Sequence, residues 1–211
     1  MGNKPIKIAI SMRFSQAQNY DEKRDALSCD WPIFLDKMNA IPLLIPNFSK
    51  NLEIFLKETE PTAIILSGGE DIGEYPERDK TEQKLLEYGI ANKLPIFGVC
   101  RGMQVINKYF GGTITKTNDK KHIVKNHFIK LNNFIVIQNE KKILVNSFHE
   151  NVIHKNELAE DLAVLAKSEE DETIEALIHK NYPIIGVMWH PEREQNDFNL
   201  KLVERVLKND Y

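Results

Sequence analysis

Pro95-Ile96-Phe97-Gly98-Val99-Cys100-Arg101-Gly102-Met103-Gln104 joins a short apolar run to a segment with helical spacing, and the join itself reads Gly-x-Cys-x-Gly. That spacing between a strand and a helix is the nucleophile elbow. The turn is so sharp that its central residue is held in a strained backbone conformation, and side chains two residues away on either side would collide with it. It also sets the Cys100 sulfur at the positive end of a helix, which favours thiolate over thiol. A lone cysteine at a strand end is more often a buried packing residue; the two glycines favour the elbow. Cys29 has no such surroundings and reads as a helix-packing residue.

Working outward, short Ile- and Val-rich runs recur between longer segments with helical spacing, the pattern of a parallel sheet covered by helices on both faces. The predicted strands before the elbow are Ile6 to Ser11, Ile41 to Ile45 and Ala63 to Leu66, with helices over Asp25 to Asn39 and Leu52 to Glu58. The strand ending at Leu66 stops at Ser67-Gly68-Gly69, a polar stretch runs on to about Thr81, and a helix reaches Asn92. Pro95 to Val99 is the strand of the elbow and Gly102 to Phe110 its helix. From Thr113 the pattern turns to strands: His127 to Leu131, Phe134 to Gln138 after an Asn132-Asn133 turn, Lys142 to Asn146, Leu162 to Ala166, Thr173 to Ile178 and Ile184 to Trp189. A helix over Phe198 to Leu207 follows. The expected class is α/β: a doubly wound, mostly parallel sheet with flanking helices and an antiparallel extension. Without a repeat, low-complexity tract or linker, residues 1–211 read as a single domain.

The 211 residues, 42% apolar and 28% charged, suffice for a sizeable core without metal or disulfide. With 28 Lys and Arg against 31 Asp and Glu there is no basic field to hold a nucleic acid polymer. Two cysteines make no disulfide framework, and no apolar run approaches the roughly 18 residues that span a bilayer. The expectation is a cytoplasmic protein with no membrane partner. Met1-Gly2 lacks the Ser or Thr at position six that myristoylation wants. The short runs Lys120-Lys121 and Lys141-Lys142 read as solvated turns.

A cysteine nucleophile needs a proton acceptor, and the acceptor needs an orienting carboxylate. His190-Pro191-Glu192 offers both, at the carboxyl end of the strand ending in Trp189, the edge where open parallel sheets place ligands and where Cys100 also lies. Acyl transfer further needs donors to a tetrahedral oxyanion. The backbone N–H of Arg101 supplies one, and the Gly68-Gly69 turn a second unless it is a plain tight turn. His122 and His127 are five apart without a third ligand, so no metal site and no cofactor is expected.

These residues resemble the class I glutamine amidotransferase-like superfamily, and within it the free-standing γ-glutamyl hydrolases. The matching pieces are Ser67-Gly68-Gly69-Glu70-Asp71, Arg78-Asp79 with Glu82, the elbow from Pro95 to Gln104, Asn146-Ser147-Phe148-His149, Glu175-Ala176, and Gly186 through Glu192. The resemblance implies a flavodoxin-like fold and a thioester between Cys100 and a glutamyl group. It implies His190 as base and acid, Glu192 as its orienter, and Gly69 and Arg101 as oxyanion donors. Gly68, Gln104, Ser147 and Phe148 would hold the glutamyl group; His149 lies near the pocket or plays a structural hydrogen-bonding role. His127, His154, His179 and His122 match nothing and read as surface or packing residues.

The chain departs from the family's pattern in the short stretch Gly68 to Tyr75, at Asn151, and in shorter loops before residue 63, all where a leaving group would lie. Arg13, past the first strand, faces that opening as a partner for an anionic group such as phosphate, or is a solvated loop arginine. In size and in Lys-, Asn- and Ile-heavy composition the chain resembles bacterial γ-glutamyl-CDP-amidate hydrolases, implying release of cytidine diphosphoramidate for capsule phosphoramidate biosynthesis. Other readings are a γ-glutamyl-γ-aminobutyrate-type hydrolase, a glutaminase subunit serving a synthetase, and an inactive regulatory module. The sequence leaves open the leaving group, the oligomeric state, the roles of Glu70, Asp71 and Asn151, and whether a lid closes.

Overall fold

The computed structural model describes residues 4–117, 125–132 and 142–210. Its centre is five parallel strands: β1 (Ile6–Ser11), β4 (Ala40–Ile45), β5 (Ala63–Leu66), β6 (Ile96–Val99) and β13 (Ile184–Val187). They lie side by side as β4-β1-β5-β6-β13. Taken in chain order that is 2-1-3-4-5, the flavodoxin-like order of a doubly wound fold. Every residue of β5, β6 and β13 is buried, because helices cover both faces.

Alternation along the strands divides the core in two. Ile8, Ile10, Ile65, Phe97, Val99, Ile185 and Val187 point to one face, covered by α1 (Asp30–Asp36) and α5 (Asp197–Lys208). Ala9, Ile64, Leu66, Ile96 and Ile184 point to the other, under α2 (Leu52–Thr59), α3 (Pro76–Ala91) and α4 (Arg101–Tyr109). Beyond β13 the sheet continues antiparallel through β12 (Ile174–His179), β11 (Leu162–Ser168), β8 (His127–Leu131) and β9 (Lys142–Val145). A small ladder joins β7 (Thr115–Lys116) to β10 (Asn151–Val152). No helix among the described residues is long and apolar enough to cross a membrane. The expected strand Phe134 to Gln138, His122 and both lysine runs fall wholly or partly outside the described residues.

The largest correction lies between Arg13 and Asn39. In place of one helix from Asp25, a hairpin of β2 (Arg13–Gln16) and β3 (Lys23–Ala26) precedes the two-turn α1. Pro32 is the physical reason: mid-helix it would remove a hydrogen bond and clash, whereas in a first turn its missing N–H costs nothing. Asp25, expected inside the helix, accepts from the Asn47 backbone N–H at 3.0 Å and its side-chain amide at 2.6 Å, pinning the hairpin to the sheet. Cys29 is accordingly exposed, just ahead of α1. Pro76 likewise opens α3 at its first position, five residues before the expected start. β13 ends at Val187, two residues early.

Candidate active site

The carboxyl ends of four neighbouring strands deliver the residues in question to one edge. Arg13 follows β1, Gly68 and Gly69 follow β5, Cys100 follows β6, and His190 follows β13. This is the edge where adjacent parallel strands open a crevice.

Cys100 has φ 51° and ψ −106°, and its N–H donates to the Val187 carbonyl at 2.8 Å. Such a backbone costs a non-glycine residue about 1–3 kcal/mol and persists only where its surroundings fix it. The flanking glycines are part of that fixing. A Cβ on Gly98 would lie 2.5 Å from the Ile106 side chain, and one on Gly102 would run into the Leu66 carbonyl.

His190 is buried, and its Nδ1 lies 2.7 Å from Glu192 Oε1. Its other ring nitrogen is left to Cys100. Burial opposes the charged ring, but the hydrogen bonds and charges of Cys100 and Glu192 outweigh it and raise the imidazole pKa from 6.5 to about 9. Asn146 grips the same residue through the backbone: its Oδ1 accepts from the His190 N–H at 2.8 Å, and its amide donates to the His190 carbonyl at 2.9 Å. Asn146 opens the Asn146-Ser147-Phe148-His149 motif, but nothing in spacing alone distinguishes such a clamp.

The Gly68-Gly69 turn is held from below by Arg78, whose Nη2 donates to the carbonyls of Ser67 at 2.9 Å and Gly68 at 3.0 Å. The guanidinium is itself fixed by Glu82 at 3.1 Å and Glu70 at 2.5 Å. Among the described residues every peptide bond is trans, so the Gly69 N–H points opposite to the Gly68 carbonyl and away from Arg78. The Arg101 side chain is buried against Glu82 and Asp79, locking the start of α4 to α3. The Arg101 backbone N–H stands at the first residue of α4, next to Cys100.

Two hollows meet at Cys100, sharing Gly69, Cys100 and Phe148 as common wall. The first, about 270 Å³, adds Arg101, Gln104, His149, Asp71 and Asn151. Asn151 donates to Asp71 at 2.8 Å, and His149 Nδ1 lies 2.9 Å from the Asn151 carbonyl, close to the buried Glu175 that also faces His127. The second, about 170 Å³, is walled by the hairpin and α1 through Arg13, Ala26, Leu27, Ser28 and Trp31, with Gly68, His190, Glu192 and Arg193 opposite. Of the expected substrate contacts, Ser147 alone reaches neither hollow: it is fully buried, and its carbonyl accepts from the Lys125 N–H. In the sequence, only adjacency to His190-Pro191-Glu192 marks Arg193.

The model of the family "Glutamine amidotransferase class-I" matches residues 36–209. The chain belongs to that family. It is an amide-hydrolysing enzyme, and a small-molecule amide substrate is consistent with its hydrolase relative. It is 34% identical over 206 residues to a γ-glutamyl-CDP-amidate hydrolase of Campylobacter jejuni, covering 93% of this chain and 95% of that one. It is 30% identical over 165 residues to a glutamine-hydrolysing GMP synthase subunit of Methanococcus aeolicus, covering 78% and 82%. Among solved structures, a putative GMP synthase subunit from Thermoplasma acidophilum superimposes with a TM-score of 0.76 at 19% identity, over 98% of this chain and 94% of that one. A glutamine amidotransferase from Thermotoga maritima does so at 0.63 and 17%, over 97% and 91%. These two carry the fold alone.

Proposed function

We propose that this amidotransferase-family chain is a γ-glutamyl hydrolase acting through a Cys100 thioester. The observation that carries the reading is the 2.7 Å bond from His190 to Glu192 beside a cysteine held on a strained elbow. With the His190 pKa at about 9, the ring is an imidazolium at neutral pH. The Cys100 sulfur attacks the γ-carbonyl carbon, and the oxyanion takes the N–H groups of Gly69 and Arg101, each such donor contributing roughly 3 kcal/mol. His190 passes its proton to the leaving nitrogen as the C–N bond breaks. The neutral ring then takes a proton from water, which attacks the thioester; the C–S bond breaks and glutamate leaves.

The hollow at Gln104, Phe148 and His149 takes the glutamyl group, and the hollow beside Arg13 takes the leaving group. The finer reading is γ-glutamyl-CDP-amidate, cleaved to glutamate and cytidine diphosphoramidate for capsule phosphoramidate biosynthesis in the cytoplasm. Likeness to the C. jejuni hydrolase along nearly the whole chain supports it. Likeness to the glutamine-hydrolysing subunits of GMP synthases favours a second reading, a glutaminase that needs a synthetase. Glutamate release by the isolated chain from glutamine, γ-glutamyl-γ-aminobutyrate and γ-glutamyl-CDP-amidate tests both: selective release from the nucleotide conjugate is the expected result, and silence on all three favours the glutaminase awaiting its synthetase.

A further inference from the structure

We infer that Arg13 and Arg193 form a two-guanidinium clamp for a phosphoryl or diphosphate group bonded directly to the leaving nitrogen. The inference rests on the γ-glutamyl hydrolase reading and adds the residues that select its leaving group. Both side chains line the hollow beside Cys100, Arg13 from the hairpin after β1 and Arg193 from the turn after β13. They are partly exposed, 50% and 37%, so their ends reach a ligand entering from solvent.

The Arg193 guanidinium lies 4.5 Å over the Phe148 ring. Stacking on an aromatic face keeps an arginine flat and leaves its in-plane N–H donors free for an anion. Glu192 Oε1 lies 3.9 Å from Arg193 Nε and is already hydrogen-bonded to His190. Arg13 Nε meets Glu70 Oε1 at a long 3.4 Å, and the other Glu70 oxygen accepts from Arg78 at 2.5 Å. Glu192 is the only carboxylate in the wall of this hollow among the described residues.

Distance along the substrate decides which anion fits. Phe148 carries Arg193 on its face and meets the His190 ring edge-on at 5.8 Å, so the clamp stands beside the group that protonates the leaving nitrogen. In an amide whose nitrogen is bonded to phosphorus, the anionic oxygens fall two bonds from that nitrogen. An aliphatic amino-acid leaving group carries its carboxylate several carbons further out, past the clamp. Charge-assisted forks of this kind recognise phosphate oxygens in pairs.

The test uses the full chain and two readouts. In the first, inorganic pyrophosphate is titrated into Cys100→Ser protein by calorimetry, with and without Arg193→Gln, Arg193→Lys or Arg13→Gln. The clamp predicts binding that each glutamine variant weakens about tenfold or more, with partial recovery in Arg193→Lys. In the second, kcat/KM on a phosphorus-linked γ-glutamyl amide is divided by kcat/KM on γ-glutamyl-γ-aminobutyrate, and Arg193→Gln lowers that ratio about tenfold or more. Cleavage of the phosphorus-linked amide at an unchanged ratio overturns the clamp and leaves the hydrolase standing. Arginine-dependent pyrophosphate binding without cleavage of any γ-glutamyl conjugate upholds the anion site and overturns the hydrolase. Pyrophosphate binding that ignores both arginines overturns the clamp outright.

Discussion

Arg78 Nη2 donates to the Gly68 carbonyl at 3.0 Å, and through that bond a fully buried side chain orients the Gly68–Gly69 peptide, whose N–H points away from Arg78. Arg78→Lys keeps the charge but loses the fork that spans the Ser67 and Gly68 carbonyls. We expect kcat to fall about a hundredfold, on the scale of a lost oxyanion donor, with KM changed only a few-fold. Arg78→Ala also leaves a buried carboxylate short of a partner and should cost about 3 kcal/mol of stability. Steady-state kinetics of both variants beside their thermal melts separate positioning from folding: an Arg78→Lys protein that melts like the native chain and keeps its kcat would count against positioning.

Asn146 holds both backbone polar groups of His190. Asn146→Ala frees the imidazole to swing off the line between Glu192 and Cys100, and should lower kcat about 10- to 100-fold while leaving far-ultraviolet circular dichroism intact. Asn146→Asp keeps the acceptor and loses the donor, so its activity should fall between the two. A KM effect without a kcat effect would contradict this role.

The pKa of about 9 sets a pH signature. kcat/KM should decline above about pH 9 as the imidazolium loses its proton, and Glu192→Gln should move that limb downward by removing a group that raises it. The sign for stability follows. The folded pKa is raised above 6.5, so the ring's contribution is fully present below about pH 6.5 and is lost as pH rises through about 9. Melting temperatures measured across that interval should therefore fall more steeply for the native chain than for Glu192→Gln.

The elbow allows no methyl group at Gly102, where a Cβ would meet the Leu66 carbonyl. Backbone cannot rotate aside as a side chain can, so Gly102→Ala should cost roughly 3 kcal/mol and lower the melting temperature by roughly 6–12 °C in a chain of this length. Differential scanning calorimetry measures it directly, and an unchanged melt would mean that the turn relaxes freely.

The parallel sheet and the meeting of Cys100, His190 and Glu192 were legible in the sequence because each depends on local pattern: apolar runs buried on both faces, and glycines at the two positions where α4 crowds β5 and β6. The hairpin Arg13–Gln16 with Lys23–Ala26 was not, since its strands are short, polar and half-exposed, and its anchor is the Asp25 contact to a residue 22 positions away. Pro32 and Pro76 stand in the first turns of α1 and α3, where a missing N–H is tolerated, so each proline marks a helix start to within two residues. The contacts of Arg78, Asn146 and Arg193 are tertiary, and spacing does not encode them. Ser147 was expected at the ligand and lies in the core, because the segment's exposed residue is its neighbour Phe148.

The most direct test of the account is intact-protein mass spectrometry of the chain quenched in acid during turnover of a γ-glutamyl amide. A mass increase of one glutamyl unit, mapped to the Cys100 peptide, released by hydroxylamine and absent from Cys100→Ser, is the predicted result. Turnover that proceeds without any covalent adduct, or that persists in Cys100→Ser, would contradict it.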